Sequence, residues 1–250
     1  MKMRRFWMIL SLVFTLAINI LANALPINNL TTGEISDRFP ILFVPEGYVF
    51  SIWGLIYLFL IAFMVYSLTP KGLADLRIDA ASWWFVAANL FNASWILLWH
   101  NLQFPLTLIS MMGLLLSLIA IYLMLGVGRL ERTLFEKILV EVPFSIYLGW
   151  ITVATVANVS QVLYVTGWRG EPLSEAAWAV IMIVIASVLG LLMVFFRGEV
   201  TYPLVLAWAF IGIWVKQSDT TLVATTALVA GLIQLGLVVG RWTYVKVKQP

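Results

Sequence analysis

The stretch 143-PFSIYLGWITVATVANVSQ-161 is apolar enough to cross a bilayer, yet it carries Tyr147, Trp150, Asn158 and Gln161 at spacings of three, eight and three. With about 100° of turn per helical residue, these four fall within a sector of roughly 80° on one helix face. Hydrocarbon penalises amides and indole N–H groups directed at it, so this face is expected to look into a helix bundle. Composition points the same way. Of 250 residues, 62% are hydrophobic and 11% charged, and the apolar residues come in runs of about 20, the length that spans hydrocarbon. The fold class is an all-α, polytopic membrane protein surrounded by membrane lipid. The formal charge of +3 is scattered between apolar runs and gives no basis for a nucleic-acid partner. The absence of cysteine removes disulfides, thiolate catalysis and cysteine–metal ligation.

Outward from this stretch, Met1–Arg5 is basic and Phe6–Leu25 is the first apolar run. Ala22-Asn23-Ala24 resembles a small-x-small cleavage site. The run is long for a signal peptide, however, and places Asn19 and Asn23 one turn apart, so retention as a membrane helix is expected. Pro26–Glu46 reads as a polar loop and a candidate lid, with a tolerated surface loop as the rival. Further runs cover Gly47–Leu68, Ser82–His100, Pro105–Leu125, Ile138–Val165, Ala176–Phe196, Tyr202–Val215 and Thr221–Gly240. Tyr202–Val215 is short, and re-entrant or tilted arrangements compete with a full crossing. Eight helices with cytoplasmic ends leave twelve basic residues inside, Lys2, Lys246 and Lys248 among them, against Arg38, Arg169 and Lys216 outside. That is the positive-inside pattern, and the plasma membrane is the expected location.

The same topology puts Phe50, Trp53 and Tyr57 of the second helix in its outer half, with Asn92, Trp95 and Trp99 of the third. Trp150 lies near mid-depth and Asn158 and Gln161 above it. An aromatic cavity under the first loop follows, suited to a flat, partly polar, hydrophobic small molecule. Its expected ligand-binding residues are Phe50, Trp53, Tyr57, Asn92, Trp95, Trp99, Tyr147, Trp150 and Asn158. No nucleophile–base–orienter set and no metal-ligand set is visible, and no charged residue sits clearly at mid-depth, which disfavours ion-coupled transport. His100, the single histidine, has two readings: a ligand to a haem-like iron or to a carboxylate, or a solvated interfacial side chain. Trp7, Trp83, Trp84, Trp168, Trp178, Trp214 and Trp242 stand at helix ends, where aromatic belts form. Asn19, Asn23, Asn89 and Gln234 are expected to bond between helices, and Gly236/Gly240 to allow close helix packing. Val239–Lys246 fits a loose sterol-contact pattern through Tyr244.

Three segments carry a resemblance. YLGWITVATVAN, with Tyr147, Trp150, Ala154, Thr155 and Asn158, is similar to the last helix of the TspO/MBR family, the tryptophan-rich sensory or translocator proteins. Asn92 and Trp95 match that family's N-x-x-W signature, with Trp99 and His100 in place of its phenylalanine pair. PEGYVFSIWGLIY resembles a third family segment through Pro45, Gly47, Phe50, Trp53 and Tyr57, one residue shorter between Phe50 and Trp53. The likeness covers residues 1–166 as a five-helix ligand-binding bundle, and residues 167–250 add three helices and a short basic tail. It implies a membrane binding and regulatory protein for porphyrin or haem-like ligands and sterols, with no covalently held cofactor, and a homodimer among the family's arrangements. The alternatives are a small-molecule exporter using all eight helices and, last, an enzyme acting on the bound ligand.

Overall fold

The computed structural model describes residues 2–25 and 27–248, and all regular structure among them is helical. Pro26, which opens the loop read at 26–46, lies outside the described residues, as do the side chains of Lys2, Lys246 and Lys248 from the basic ends. Eight long helices follow one another: α1 Lys2–Ala24, α2 Ile52–Ser67, α3 Leu76–His100, α4 Phe104–Met124, α5 Val142–Val165, α6 Glu175–Arg197, α7 Thr201–Lys216 and α8 Thr221–Lys248. Seven spans are long and apolar enough to cross a membrane, α2 and α5 counted with the turns that lead into them. The protein is therefore a polytopic helical membrane protein. The remaining helix, α7, has 16 residues; at 1.5 Å per residue it is about 24 Å long, short of the roughly 30 Å of hydrocarbon.

Polar residues set the helix ends that hydropathy alone misplaces. α3 begins at Leu76, six residues before its apolar run, because Asp75 caps it by accepting from the Arg77 N–H at 2.8 Å. Ser174 caps α6 through the Ala177 N–H at 3.1 Å, and Gly198 ends it in the left-handed conformation with φ 62°. Ahead of α5, Lys137–Glu141 winds as a π turn between Leu134–Glu136 and Val142.

Packing divides the chain into two compact units: Met1–Pro40 with Trp53–Ile151, and Ile41–Ile52 with Thr152–Pro250. α5 passes from the first unit into the second after Ile151.

In the first unit α1 runs parallel to α3, and their polar residues pair in step. Arg4 bonds Asp79 at 2.8 Å, the Thr15 hydroxyl donates to the Asn89 carbonyl at 2.8 Å, and Asn19 donates to Asn92 at 2.8 Å. α1 is thus an integral wall of this bundle. One end of the unit is charged. Arg5, buried, donates to the carbonyls of Ile78 and Gly72 at 3.2 and 3.1 Å. Nearby, Arg132 pairs with Glu141 at 3.2 Å and donates to the Leu125 carbonyl at 2.9 Å. The opposite end carries the first loop, where Thr31 and Glu34 form a reciprocal capping box at the helix Thr32–Asp37. The Thr31 N–H and hydroxyl, both donating to its carboxylate, hold Glu34 below the usual carboxylate range.

In the second unit α7 packs on both α6 and α8, and nine of its residues are buried. Gln234 of α8, fully buried, donates to the Ser187 carbonyl and hydroxyl of α6 at 3.0 and 2.8 Å, the interhelical bond expected of it. Gly190 makes room for it, since a Cβ there would overlap Gln234 Oε1. The residues Gly236 and Gly240 do not serve close packing inside the chain: a Cβ at either meets open space among the described residues. Trp168 and Trp178 are half-buried and packed on one another at 5.4 Å, with the Trp178 indole donating to the Gly170 carbonyl, so they brace the α5–α6 connection. Trp7, Trp83, Trp84, Trp214 and Trp242 are exposed, as belt residues should be.

Candidate functional site

The first unit gathers three of the aromatic residues singled out above, Tyr57, Tyr147 and Trp150, around Trp53. This indole, half-exposed on α2, stacks on Tyr57 one turn later, with ring centroids 5.5 Å apart and planes at 23°. α5 presents Tyr147 and Trp150 to it edge-on, at 5.8 Å and 6.2 Å. The i, i+3 and i, i+4 spacings make this meeting possible, because each helix repeats its face at those intervals. Edge-to-face contacts place the positive rim of one ring against the negative face of the next.

A polar relay backs the rings. Asn19 of α1 donates to the Thr15 carbonyl at 2.9 Å and to Asn92 Oδ1 at 2.8 Å, and Asn92 donates onward to the Tyr147 hydroxyl at 2.8 Å. The Tyr57 hydroxyl also approaches Asn92, without a bond of full geometry. Asn92 is buried and joins three helices, α1, α3 and α5, in one bonded group. Asn19 and Thr15 sit one turn apart on α1. That spacing was the available signal for a shared role beyond simple helix contact.

Trp95 and Trp99 stack on each other along α3 at 4.9 Å and 22°, and Trp99 meets Phe104 edge-on at 5.5 Å. The Trp99 indole donates to the Thr32 carbonyl at 3.2 Å, which ties this pair to the first loop. His100 corrects both of its sequence readings. It is fully buried, with Nε2 3.1 Å from the Thr32 hydroxyl and Nδ1 3.4 Å from the Ile27 carbonyl, while Asn28 donates to its carbonyl at 2.9 Å. Both ring nitrogens face protein partners, so His100 fastens the loop to α3, is not solvated, and has no nitrogen to offer an iron. Among the described residues no group of three or more His, Cys, Asp or Glu is placed to hold a metal.

Phe50 and Asn158 belong to the second unit. Phe50 is half-buried in the turn Gly47–Ser51, and Asn158 is buried on α5 one turn before the equally buried Gln161. In the same unit the Tyr202 hydroxyl donates to Thr152 at 3.0 Å.

The family model for the TSPO-like protein matches residues 5–240. The chain belongs to the TSPO-like family. The match runs through α6, α7 and most of α8, so the TSPO-like assignment includes the three helices that follow the resembling segments. Neither the curated proteins nor the solved structures yield a match.

Proposed function

We propose that this TSPO-like protein binds a flat, hydrophobic, porphyrin-like ligand against the Trp53 cluster and serves as a binding and regulatory protein of the plasma membrane. One observation carries the reading: Trp53 and Tyr57 are the half-exposed members of a cluster whose other walls, Tyr147 and Trp150, are buried. A π face of that kind, fixed edge-on by two neighbours, suits stacking of a planar ring at small entropic cost. Asn92, Trp95 and Trp99 of the same unit complete the proposed set of ligand residues. Saturable quenching of tryptophan fluorescence by protoporphyrin IX is the test. Trp53→Leu is expected to weaken binding about tenfold, the effect of losing one well-packed aromatic contact. Trp83→Leu, an exposed belt position, should leave binding unchanged. Absence of saturable quenching, or equal affinity in Trp53→Leu, would remove the reading.

With cytoplasmic ends, the α4–α5 connection faces the cytoplasm and the α7–α8 turn the outside. The chain has no cysteine, so single Glu131→Cys and Asp219→Cys variants, both at exposed positions, report sidedness cleanly. A membrane-impermeant maleimide applied to intact cells should label the Asp219 variant and spare the Glu131 variant. Protection of both would mean that α7 fails to cross.

A further inference from the structure

We infer that Asn19 fixes the hydrogen-bond polarity of the Trp53 cluster so that it offers phenolic O–H donors, and that the site thereby selects ligands bearing an acceptor oxygen such as an ester, ketone or carboxylate. This rests on the ligand site proposed above and adds the chemistry of the ligand's polar group.

A backbone carbonyl only accepts, so the Thr15 oxygen 2.9 Å from Asn19 settles which end of that amide is nitrogen. The same nitrogen lies 2.8 Å from Asn92 Oδ1, and its two hydrogens are both used. Asn92 must then turn its oxygen to Asn19 and its nitrogen to the Tyr147 hydroxyl, 2.8 Å away. The phenol accepts in that bond, and its own hydrogen has to point elsewhere. Among the described residues no acceptor receives it. Tyr57 stands in a similar position: its buried hydroxyl lies near Asn92 and Tyr147 and has no partner of full geometry. Two hydroxyl hydrogens are therefore left over beside the half-exposed face of Trp53. In apolar surroundings an unmade hydrogen bond is costly, so a hydrocarbon ligand leaves that cost in place while an acceptor oxygen removes it. Asn19 acts at one remove, as a positioning residue.

The test compares two neutral porphyrins on the full-length protein in detergent. Mesoporphyrin IX dimethyl ester carries ester oxygens, whereas etioporphyrin I has an alkyl-substituted ring without oxygen. The wild type is expected to bind the ester about tenfold more tightly, the scale of one or two neutral hydrogen bonds. Asn19→Asp, nearly isosteric, puts an acceptor where the donor nitrogen stood. Asn92 then rotates its oxygen toward the phenols and satisfies them internally. The ester's advantage should fall to less than about threefold while etioporphyrin affinity is kept. Tyr147→Phe, which removes one of the two donors, should cut the advantage to about threefold, and this keeps the test alive if the aspartate variant does not fold. Equal affinities in the wild type, or a full ester advantage in the variants, would overturn the inference and leave the ligand site standing. Binding of neither porphyrin would take both down. Ultraviolet resonance Raman of the ligand-free protein gives a second readout. The Tyr147 doublet, isolated by difference against Tyr147→Phe, should report an accepting phenol in the wild type and a donating one in Asn19→Asp. No change between the two overturns the assigned polarity.

Discussion

Glu141→Ala is expected to destabilise the protein by about 3 kcal/mol, measured as unfolding of the purified protein in detergent. The reason is the charge it would strand. Arg132 and Glu141 are 3.2 Å apart with side chains only 7% and 10% exposed, and Asp75 is a distant second partner for Arg132 at 4.0 Å. Removing the carboxylate also deprives the Gly128 N–H, 3.4 Å away, of its acceptor. The Leu125 carbonyl would still receive one guanidinium bond, which keeps the loss below that of a fully orphaned ion. Replacing both partners by leucine should recover part of the loss, because the desolvation penalty disappears with the charges. A single-variant effect under about 0.5 kcal/mol would show the pair to behave as a solvated surface bridge.

Gly212→Val is the second large effect, and it acts in the other unit. A Cβ at Gly212 would overlap Val49 Cγ2 and come within 3.0 Å of Pro45 Cβ. Val49 is fully buried and cannot swing aside. The Gly212 carbonyl accepts from the Glu46 N–H at 3.1 Å, and one turn earlier the Trp208 indole donates to the Val49 carbonyl at 3.1 Å. Valine should therefore lift residues 41–52 off α7, at a cost of about 3 kcal/mol, the upper range for overpacking a rigid site. Limited proteolysis would read this directly: new cleavage between Ile41 and Ser51 in the variant, none in the wild type. An unchanged digest with unchanged stability would mean that the segment yields without loss.

Much of the architecture was legible because hydropathy is a direct consequence of the solvent. The run Ala176–Phe196 differs from α6 by one residue at each end, and Tyr202–Val215 lies just inside α7. Where a helix extends beyond its apolar part the run understates it: Arg77 and Asp79 belong to the start of α3, and only the Asp75 cap before them signals that. The site was legible to the extent that helical spacing places Tyr147 and Trp150, or Trp53 and Tyr57, on one face. Spacing within a helix says nothing about which helix lies opposite. Hence the bond from Asn19 to Asn92 was expected only as some interhelical contact, and the burial of His100 beneath Thr32 and Ile27 was not expected at all. Loop residues carry no period to read. The first loop moreover divides at Pro40, its later part joining α7, a pairing 166 residues apart in sequence for Glu46 and Gly212.

The π turn at Lys137–Glu141 sets the phase of everything that follows it on α5. A π turn holds one residue more than an α turn, so shortening this segment by a single residue would rotate the downstream helix by about 100° relative to Leu134–Glu136. Glu141 and the pair Tyr147 and Trp150 are fixed to one another by the regular helix between them. What the extra residue adjusts is their common aim relative to the Thr133–Glu136 cap. An inserted residue here works like a vernier: it lets the capped start and the aromatic face each keep the direction it needs, and a length change of one at this point is a change of angle for the whole wall.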